Sequence, residues 1–444
     1  MALDVPSVFR EQEYRTRRAE NWLIIGFLYA LFYMTRYNFS SVTPSLEAAF
    51  GWDKADLGIF ETVMPLIYGL SVVINGPIAD RVGGRKAFLF GAVGVVIMNF
   101  LFGLSGFVAK DASPDMIRYV LAAIWGLNGY FQSFGALSIV KINAQWFHIR
   151  ERGTFAAIFG VLIRFGLILA FSGTPLLVKY TGHWYWAFWG PALLVALLAL
   201  LTFVFVRDTP AEAGYPGRDT GDEGVDDGER VRVTDVLRKV FASPTMWMIA
   251  LGSMMIGFVR RSVVDAWWPL YFKDVHHITS GTAWQRQLTA WGIALAGIAG
   301  GFAFGMSSDR IYGGRRAPVI VFGFTGMAVT LGAFYLGDSL SLGSWFAILC
   351  FIALSFFVNG AHGMIGGAAS MDFGGRKAAA TAAGLFDGMQ YIAGAFVGVA
   401  VGNITEMPNG WQYWKLWPIP FALVGALVMS RLWNAMPKGR TAGH

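Results

Sequence analysis

The stretch Gly76-Pro-Ile-Ala-Asp80-Arg81-Val-Gly83-Gly84-Arg85-Lys86 is matched 229 residues later by Gly305-Met-Ser-Ser-Asp309-Arg310-Ile-Tyr-Gly313-Gly314-Arg315-Arg316. Each copy closes a long apolar run, and both keep a G-x-x-x-D-R core. Self-similarity at a fixed spacing marks a chain built from two copies of one unit. Glycine permits a tight turn between two helices, while the Asp and Arg beside it can pair with each other or with helix ends. Asp80, Arg81, Arg85, Asp309, Arg310 and Arg315 are therefore expected to gate or brace the two repeats.

Outward from these turns the chain is apolar. Of its 444 residues 55% are hydrophobic and only 14% charged, with a mean hydropathy of +0.51, well beyond what a soluble core of this size uses. A helix crossing roughly 30 Å of hydrocarbon needs about 20 apolar residues. Twelve such runs stand near 20–45, 57–80, 86–107, 116–141, 153–178, 185–206, 244–272, 285–308, 317–337, 343–366, 378–402 and 411–433. The longest polar stretch, 207–243, holds Pro210, Pro216, Gly217 and an acidic run from Asp219 to Glu229. It divides the runs six and six. The expected architecture is an all-α membrane protein, twelve transmembrane helices in two pseudo-symmetric six-helix halves, 1–206 and 244–444, joined by a cytoplasmic linker at 207–243.

Of the 35 Lys and Arg residues, 24 fall at the termini and in the even-to-odd connections. Seven lie in the opposite loops: Lys54, Lys110, Arg118, Lys179, Lys273, Arg286 and Lys415. Positive loops stay in the cytoplasm, so both termini of this multi-pass protein are expected on the cytoplasmic side of the inner (cytoplasmic) membrane. The first 21 residues mix Arg10, Arg15, Arg17 and Arg18 with Asp4, Glu11, Glu13 and Glu20 and lack a small-residue cleavage site. No removable signal peptide is expected. The net charge of +7 is spread over membrane loops, which argues for a lipid bilayer and against nucleic acid as partner. Cys350 is the single cysteine, so neither a disulfide framework nor a Cys-based metal site is expected. The chain has no G-x-x-x-x-G-K-[ST] loop, so ATP is not expected to drive it, and no cofactor is implied.

Further segments narrow the reading. The first span carries Thr35-Arg36-Tyr37-Asn38-Phe39-Ser40, then Pro44 and Leu46; Lys54-Ala-Asp56-Leu57-Gly58 follows. The fourth holds Asn128-Gly129-Tyr-Phe-Gln132 and leaves through Trp146-Phe147-His-Ile-Arg-Glu151-Arg152-Gly153, the sixth ends in Arg207-Asp208-Thr209-Pro210, and the seventh contains Arg260-Arg261-Ser-Val-Val-Asp265-Ala-Trp267-Trp268-Pro269. The duplicated turn resembles the loop signature of the major facilitator superfamily. Together with these segments, over most of the chain, it resembles the organophosphate:phosphate antiporters, which include the glycerol-3-phosphate and hexose-phosphate transporters. The resemblance implies a phosphate-binding arginine in the seventh span, and Arg36 stands in the segment of the first span that is similar to the family's. Counting back from Asp265 selects Arg260; counting from Trp267 and Pro269 selects Arg261. Two departures bear on substrate: Tyr37 stands where the glycerol-3-phosphate branch has a second basic residue, and Ile163 where it has a histidine. Arg164, next in line, is a candidate to supply the missing charge.

An arginine at mid-span costs about 2.5–3.5 kcal/mol on insertion scales and needs a partner or a wet cavity. Arg36, Arg164, Arg260 and Arg261 are four such residues. Arg36 and Arg260 are 224 apart, close to the 229 that separates the duplicated turns, so the repeat gives them corresponding positions in the two halves. Guanidinium is permanently charged and donates paired N–H bonds, which suits a phosphate dianion. Glu61, Asp265 and Asp387 are the internal carboxylates that could instead lock these arginines or carry protons. Arg261 and Asp265, four apart on a helix, are expected to share a face, leaving Arg260 for an anion. His362, the one histidine within a span, is expected to pack or hydrogen-bond. Tyr37, Tyr130, Gln132, Trp267 and Tyr391 are candidate cavity residues, and the glycines from Gly384 to Gly398 are expected to let helices approach closely.

The expected function is secondary active transport of a small organic anion, a phosphate ester exchanged for inorganic phosphate by alternating access. The rivals are a proton-coupled symporter of carboxylates or sugar acids and a phosphate-ester sensor of the same fold. An enzyme is not expected, because no Ser/His, paired-Asp or metal-ligand constellation stands at helical spacing.

Overall fold

The computed structural model describes residues 12–108, 113–147, 152–215 and 242–435, with no strand among them. Helices occupy all twelve expected positions. In chain order they are α1 (Gln12–Ser41), α2 (Thr43–Phe50), α3 (Lys54–Val82), α4 (Gly84–Val108), α5 (Pro114–Gln132), α6 (Phe134–Trp146), α7 (Arg152–Ile168), α8 (Thr174–Thr181) and α9 (Trp186–Phe205). After the linker come α10 (Pro244–Val259), α11 (Trp268–His276), α12 (Trp284–Arg310), α13 (Ala317–Ser339), α14 (Gly343–His362), α15 (Ser370–Glu406), α16 (Gly410–Leu416) and α17 (Ile419–Ser430). Among the described residues nine helical stretches are long and apolar enough to span a membrane. The first, fourth and twelfth positions fall short for physical reasons. α1 begins with a charged turn and carries Arg36 and Asn38, α5 carries Asp115, Arg118, Asn128 and Gln132, and the twelfth position breaks at Trp417 and Pro418. The linker beyond residue 215 lies outside the described residues.

Three of the long helices widen into π-helical turns at Leu169–Gly173, Arg260–Asp265 and Gly363–Ala369. Pro175 and Pro269 follow the first two. A proline offers no N–H and crowds the carbonyl four residues before it, here those of Phe171 and Asp265, so each ladder loses a bond and accommodates an extra residue. The third turn contains Gly363, Gly366 and Gly367, whose missing side chains make the same adjustment cheap. π-Helical turns inside α-helices recur at functional positions.

The chain forms two compact units. One comprises residues 1–39 and 70–230. Its core gathers Phe39, Phe102, Trp125 and Phe188, with the Phe102 and Phe188 rings stacked at 4.3 Å. α4 packs along α9, α5 and α6. The other comprises 40–69 and 231–444, so the outer part of the first hairpin, α2 and the start of α3, clusters with the second repeat. There α12 packs on α14, α10 on α15, and α13 on α14 and α17. Gly58 and Gly398 supply a close approach of α3 and α15: a Cβ on Gly398 would stand 2.6 Å from the Gly58 carbonyl oxygen.

Candidate functional site

In the first unit Arg36 stands at one end of a hydrogen-bonded ladder of buried polar side chains. Buried amides cannot be left unpaired without costing about 1–3 kcal/mol each, and α1, α4, α5 and α9 pair them with one another. The Asn38 amide donates to Asn99 Oδ1 at 2.9 Å and to the Ala187 carbonyl at 3.0 Å. Asn99 donates onward to Asn128 Oδ1 at 3.1 Å, and Asn128 to the Thr35 carbonyl at 3.2 Å. Gln132 donates from Nε2 to Thr35 Oγ1 at 3.0 Å and accepts Arg36 Nη2 on Oε1 at 3.2 Å. Asn38, Asn99, Asn128, Gln132 and Thr35 are all fully buried. Arg36, itself buried, also lies over the Tyr33 ring, 4.6 Å from its centroid. Tyr37 is buried between Tyr33 and Phe171, and Arg164 is half-buried on α7. Tyr130 packs edge-on to Phe131 and Phe134, beside Ala79 and Ala87, in a packing position.

The second unit holds its arginines differently. Arg260 Nε lies 2.9 Å from Asp265 Oδ2, an ion pair without the alignment of a hydrogen bond, and both side chains are nearly buried. The expected alignment of Arg261 with Asp265 rested on α-helical spacing, whereas the π-helical turn winds less per residue and brings residues five apart onto one face. Arg261 reaches Glu61 Oε2. Glu61 is 3% exposed and accepts Ser40 Oγ on its other oxygen at 2.5 Å. Carboxylate partners therefore stand at both seventh-span arginines. Arg260 Nη1 also donates to Gln390 Oε1 at 3.3 Å, and Gln390 Nε2 lies 3.1 Å from His362 Nδ1. A Cβ on Gly366 would sit 3.6 Å from Asp387 Oδ1 and 3.7 Å from His362 Cε1, so both side chains border one small space. Tyr391 meets Tyr68 with ring centroids 4.5 Å apart. Trp267 is buried, and its indole Nε1 has no hydrogen-bond partner among the described residues.

Basic residues near the helix ends are tied down in this unit. Lys54 Nζ lies 3.1 Å from Asp274 and 3.8 Å from Glu406, Lys273 meets Glu47, and the buried Arg286 donates to the Ser41 carbonyl at 3.0 Å. Lys415, fully buried, pairs with Asp338, whose other oxygen accepts Tyr271 Oη at 2.8 Å.

The duplicated turns bind helix ends. Gly83 has φ +93°, and a Cβ there would meet Asp208 Oδ2 at 2.8 Å. The bare turn lets Asp208 Oδ1 accept the Arg85 backbone N–H at 2.7 Å, capping the N-terminus of α4, where a carboxylate is favoured. The Arg85 side chain donates to the Phe203 carbonyl. In the second copy Arg315 donates from Nε to the Tyr312 carbonyl at 3.2 Å and from Nη1 to Asn434 at 3.4 Å, and Arg310 is exposed. The side chains of Asp80, Arg81 and Asp309 lie outside the described residues. The sequence reading missed Asn38, Asn99, Asn128, Thr35, Gln390 and Asp208 as working residues. Asparagines inside three separate apolar runs were the available signal, since each must find a partner in hydrocarbon.

Over 96% of its length the chain is 28% identical to a probable hexose phosphate transport protein of Chlamydia pneumoniae, covering 95% of that protein. It is 28% identical to the glycerol-3-phosphate transporter of Bacillus subtilis strain 168, over 97% of this chain and 95% of that one. A membrane sensor protein of Salmonella typhimurium strain LT2 is 26% identical over the same shares of the two chains. Among solved structures a D-xylose-proton symporter superposes with a TM-score of 0.74 at 17% identity, covering 95% of this chain and 99% of that one; this likeness concerns the fold. The family model described as Major Facilitator Superfamily matches residues 25–398. With twelve helix positions, a duplicated glycine turn and that match across most of its length, this chain belongs to the Major Facilitator Superfamily.

Proposed function

We propose that the chain is a secondary active transporter of a small phosphate ester, exchanged for inorganic phosphate by alternating access, with Arg36 and Arg260 as the anion ligands. The carrying observation is that the first helix position of each repeat holds a buried guanidinium braced by a glutamine oxygen, Arg36 by Gln132 and Arg260 by Gln390. An amide oxygen orients a guanidinium without itself cancelling the charge, and an oriented guanidinium recognises a phosphate through two parallel N–H bonds. The relatives named for hexose phosphate and glycerol-3-phosphate transport support the substrate class.

The site's charge gives the exchange its logic. Asp265 and Glu61 act as internal counter-ions for Arg260 and Arg261 while the site is empty, and an incoming dianion competes with them. Opening toward the outside requires the ties of residues 40–69, Lys54 with Asp274 and Glu406 and Lys273 with Glu47, to release. With the termini cytoplasmic, as the distribution of positive loops argues, these ties lie on the outer side. The energy comes from the counter-gradient.

Proteoliposomes loaded with inorganic phosphate test this. Uptake of labelled hexose phosphate or glycerol-3-phosphate is expected to rise with internal phosphate and to vanish in Arg36→Ala. Absence of uptake or exchange for every phosphate ester overturns the reading. The likeness to a membrane sensor protein favours one second reading, in which the same site binds phosphate ester without turnover. Saturable binding with no exchange is its distinguishing result.

A further inference from the structure

Arginine has only donors. The Gln390 oxygen must therefore face Arg260 Nη1, and this fixes the orientation of the amide: Nε2, a donor, faces His362 Nδ1 at 3.1 Å. A donor opposite Nδ1 requires that nitrogen to be an acceptor. The arrangement thus holds His362 neutral, with its proton on Nε2. We propose that His362 is a positioning residue for Arg260: a proton taken up at Nδ1 turns the Gln390 amide over, removes the brace from Arg260 and lowers anion affinity in acid. The inference rests on the reading of Arg260 as an anion ligand and adds to it a pH response that resides in one repeat alone.

The geometry makes the two states mutually exclusive. With Nδ1 protonated, two donors face each other across 3.1 Å until the amide rotates by half a turn. After rotation its oxygen accepts from His362, and its NH2 group confronts the Arg260 guanidinium, again donor against donor. One proton on the imidazole is thereby transmitted to the arginine through a single amide. The corresponding brace in the first unit, Arg36 on Gln132, continues into Thr35, Asn128, Asn99 and Asn38, none of which titrates. Of the two glutamine braces described, the one at Arg260 is the one that ends on a group that titrates.

Other charges bear on the imidazole. Asp387 on α15 borders the same space beside Gly366, and Arg260 stands with Asp265 on the π-helical turn after α10. Arg261, on the same turn, pairs with Glu61 of α3. The remaining helices packed against α14 carry Arg286, Arg310, Asp338, Lys273, Asp274 and His276 toward their ends. Histidine is the side chain whose ordinary titration range lies near physiological pH.

The test is the affinity of the purified full-length protein for sulfate, a dianion that does not titrate in this range, with inorganic phosphate as the second probe. It is read by tryptophan fluorescence between about pH 8 and about pH 5.5. Wild-type protein is expected to lose roughly tenfold in sulfate affinity across that range, the scale of one charge-assisted hydrogen bond. In His362→Asn the side-chain oxygen stands near the place of Nδ1, accepts from Gln390 and never protonates, so the pH slope is expected to disappear. In Gln390→Leu the relay is cut, and affinity is expected to be low and flat at every pH. A wild-type slope retained in either variant overturns the inference. Failure of the underlying reading looks different: Arg260→Ala and Arg36→Ala would then bind sulfate as tightly as wild type at about pH 8.

Discussion

Replacing Glu61 by Gln removes one charge from a buried pair while keeping the side-chain volume. Glu61 is 3% exposed, accepts Ser40 Oγ at 2.5 Å and meets the Arg261 guanidinium. Gln can still accept from Ser40, so the loss is the counter-charge. Leaving one partner of a buried pair uncompensated costs about 3–5 kcal/mol. Unfolding entropy of roughly 2.1 cal/mol/K per residue, over 444 residues, converts that to a fall of about 3–5 °C in melting temperature. Differential scanning fluorimetry in detergent measures it. Removing both charges, as Glu61→Gln with Arg261→Leu, is expected to recover most of the loss, because a pair replaced by neutral groups leaves nothing uncompensated. A further consequence follows from the proposed competition between Glu61 and substrate: inorganic phosphate should stabilise Glu61→Gln more than wild type, since the anion then supplies the missing charge. A single variant that melts within about 1 °C of wild type, with no coupling to Arg261→Leu, refutes the reasoning.

Asn99→Leu removes an acceptor of the Asn38 amide and the donor to Asn128 Oδ1 and should destabilise the protein by about 2–5 kcal/mol; phosphate titration of the folded fraction should show affinity reduced by roughly tenfold as Arg36 loses its anchored brace. Gly398→Val forces a side chain onto the Gly58 carbonyl and should cost about 1–3 kcal/mol by overpacking, seen as a lower melting temperature. Burial raises the Asp208 carboxyl above its ordinary 3.8. The folded chain then holds that proton more tightly than the unfolded one, so this contribution to stability is complete below about pH 4 and is lost as pH rises through the raised value. Asp208→Asn, which still offers an oxygen to the Arg85 N–H, should flatten that part of the melting-temperature curve.

The sequence by itself determined the membrane class, the twelve helix positions, the duplication and the four arginines within spans. These follow from one-dimensional quantities: run lengths matched to the hydrocarbon thickness, the scarcity of charge, and a motif repeated at a fixed spacing. Partnership was beyond its reach. Helical winding was one such matter: α-helical spacing put Arg261 on the face of Asp265, and the π-helical turn ahead of Pro269 also brings Arg260, five residues from Asp265, into an ion pair with it. Glu61 was visible as a buried carboxylate, yet its pairing joins residues 200 positions apart, which no local periodicity encodes. The asparagine ladder behind Arg36 likewise draws one residue from each of several helices, and the orientation of Gln390 is fixed only by an arginine that cannot accept. Composition and spacing decide which side chains must be satisfied inside a membrane; the packing of helices distant in sequence decides by whom.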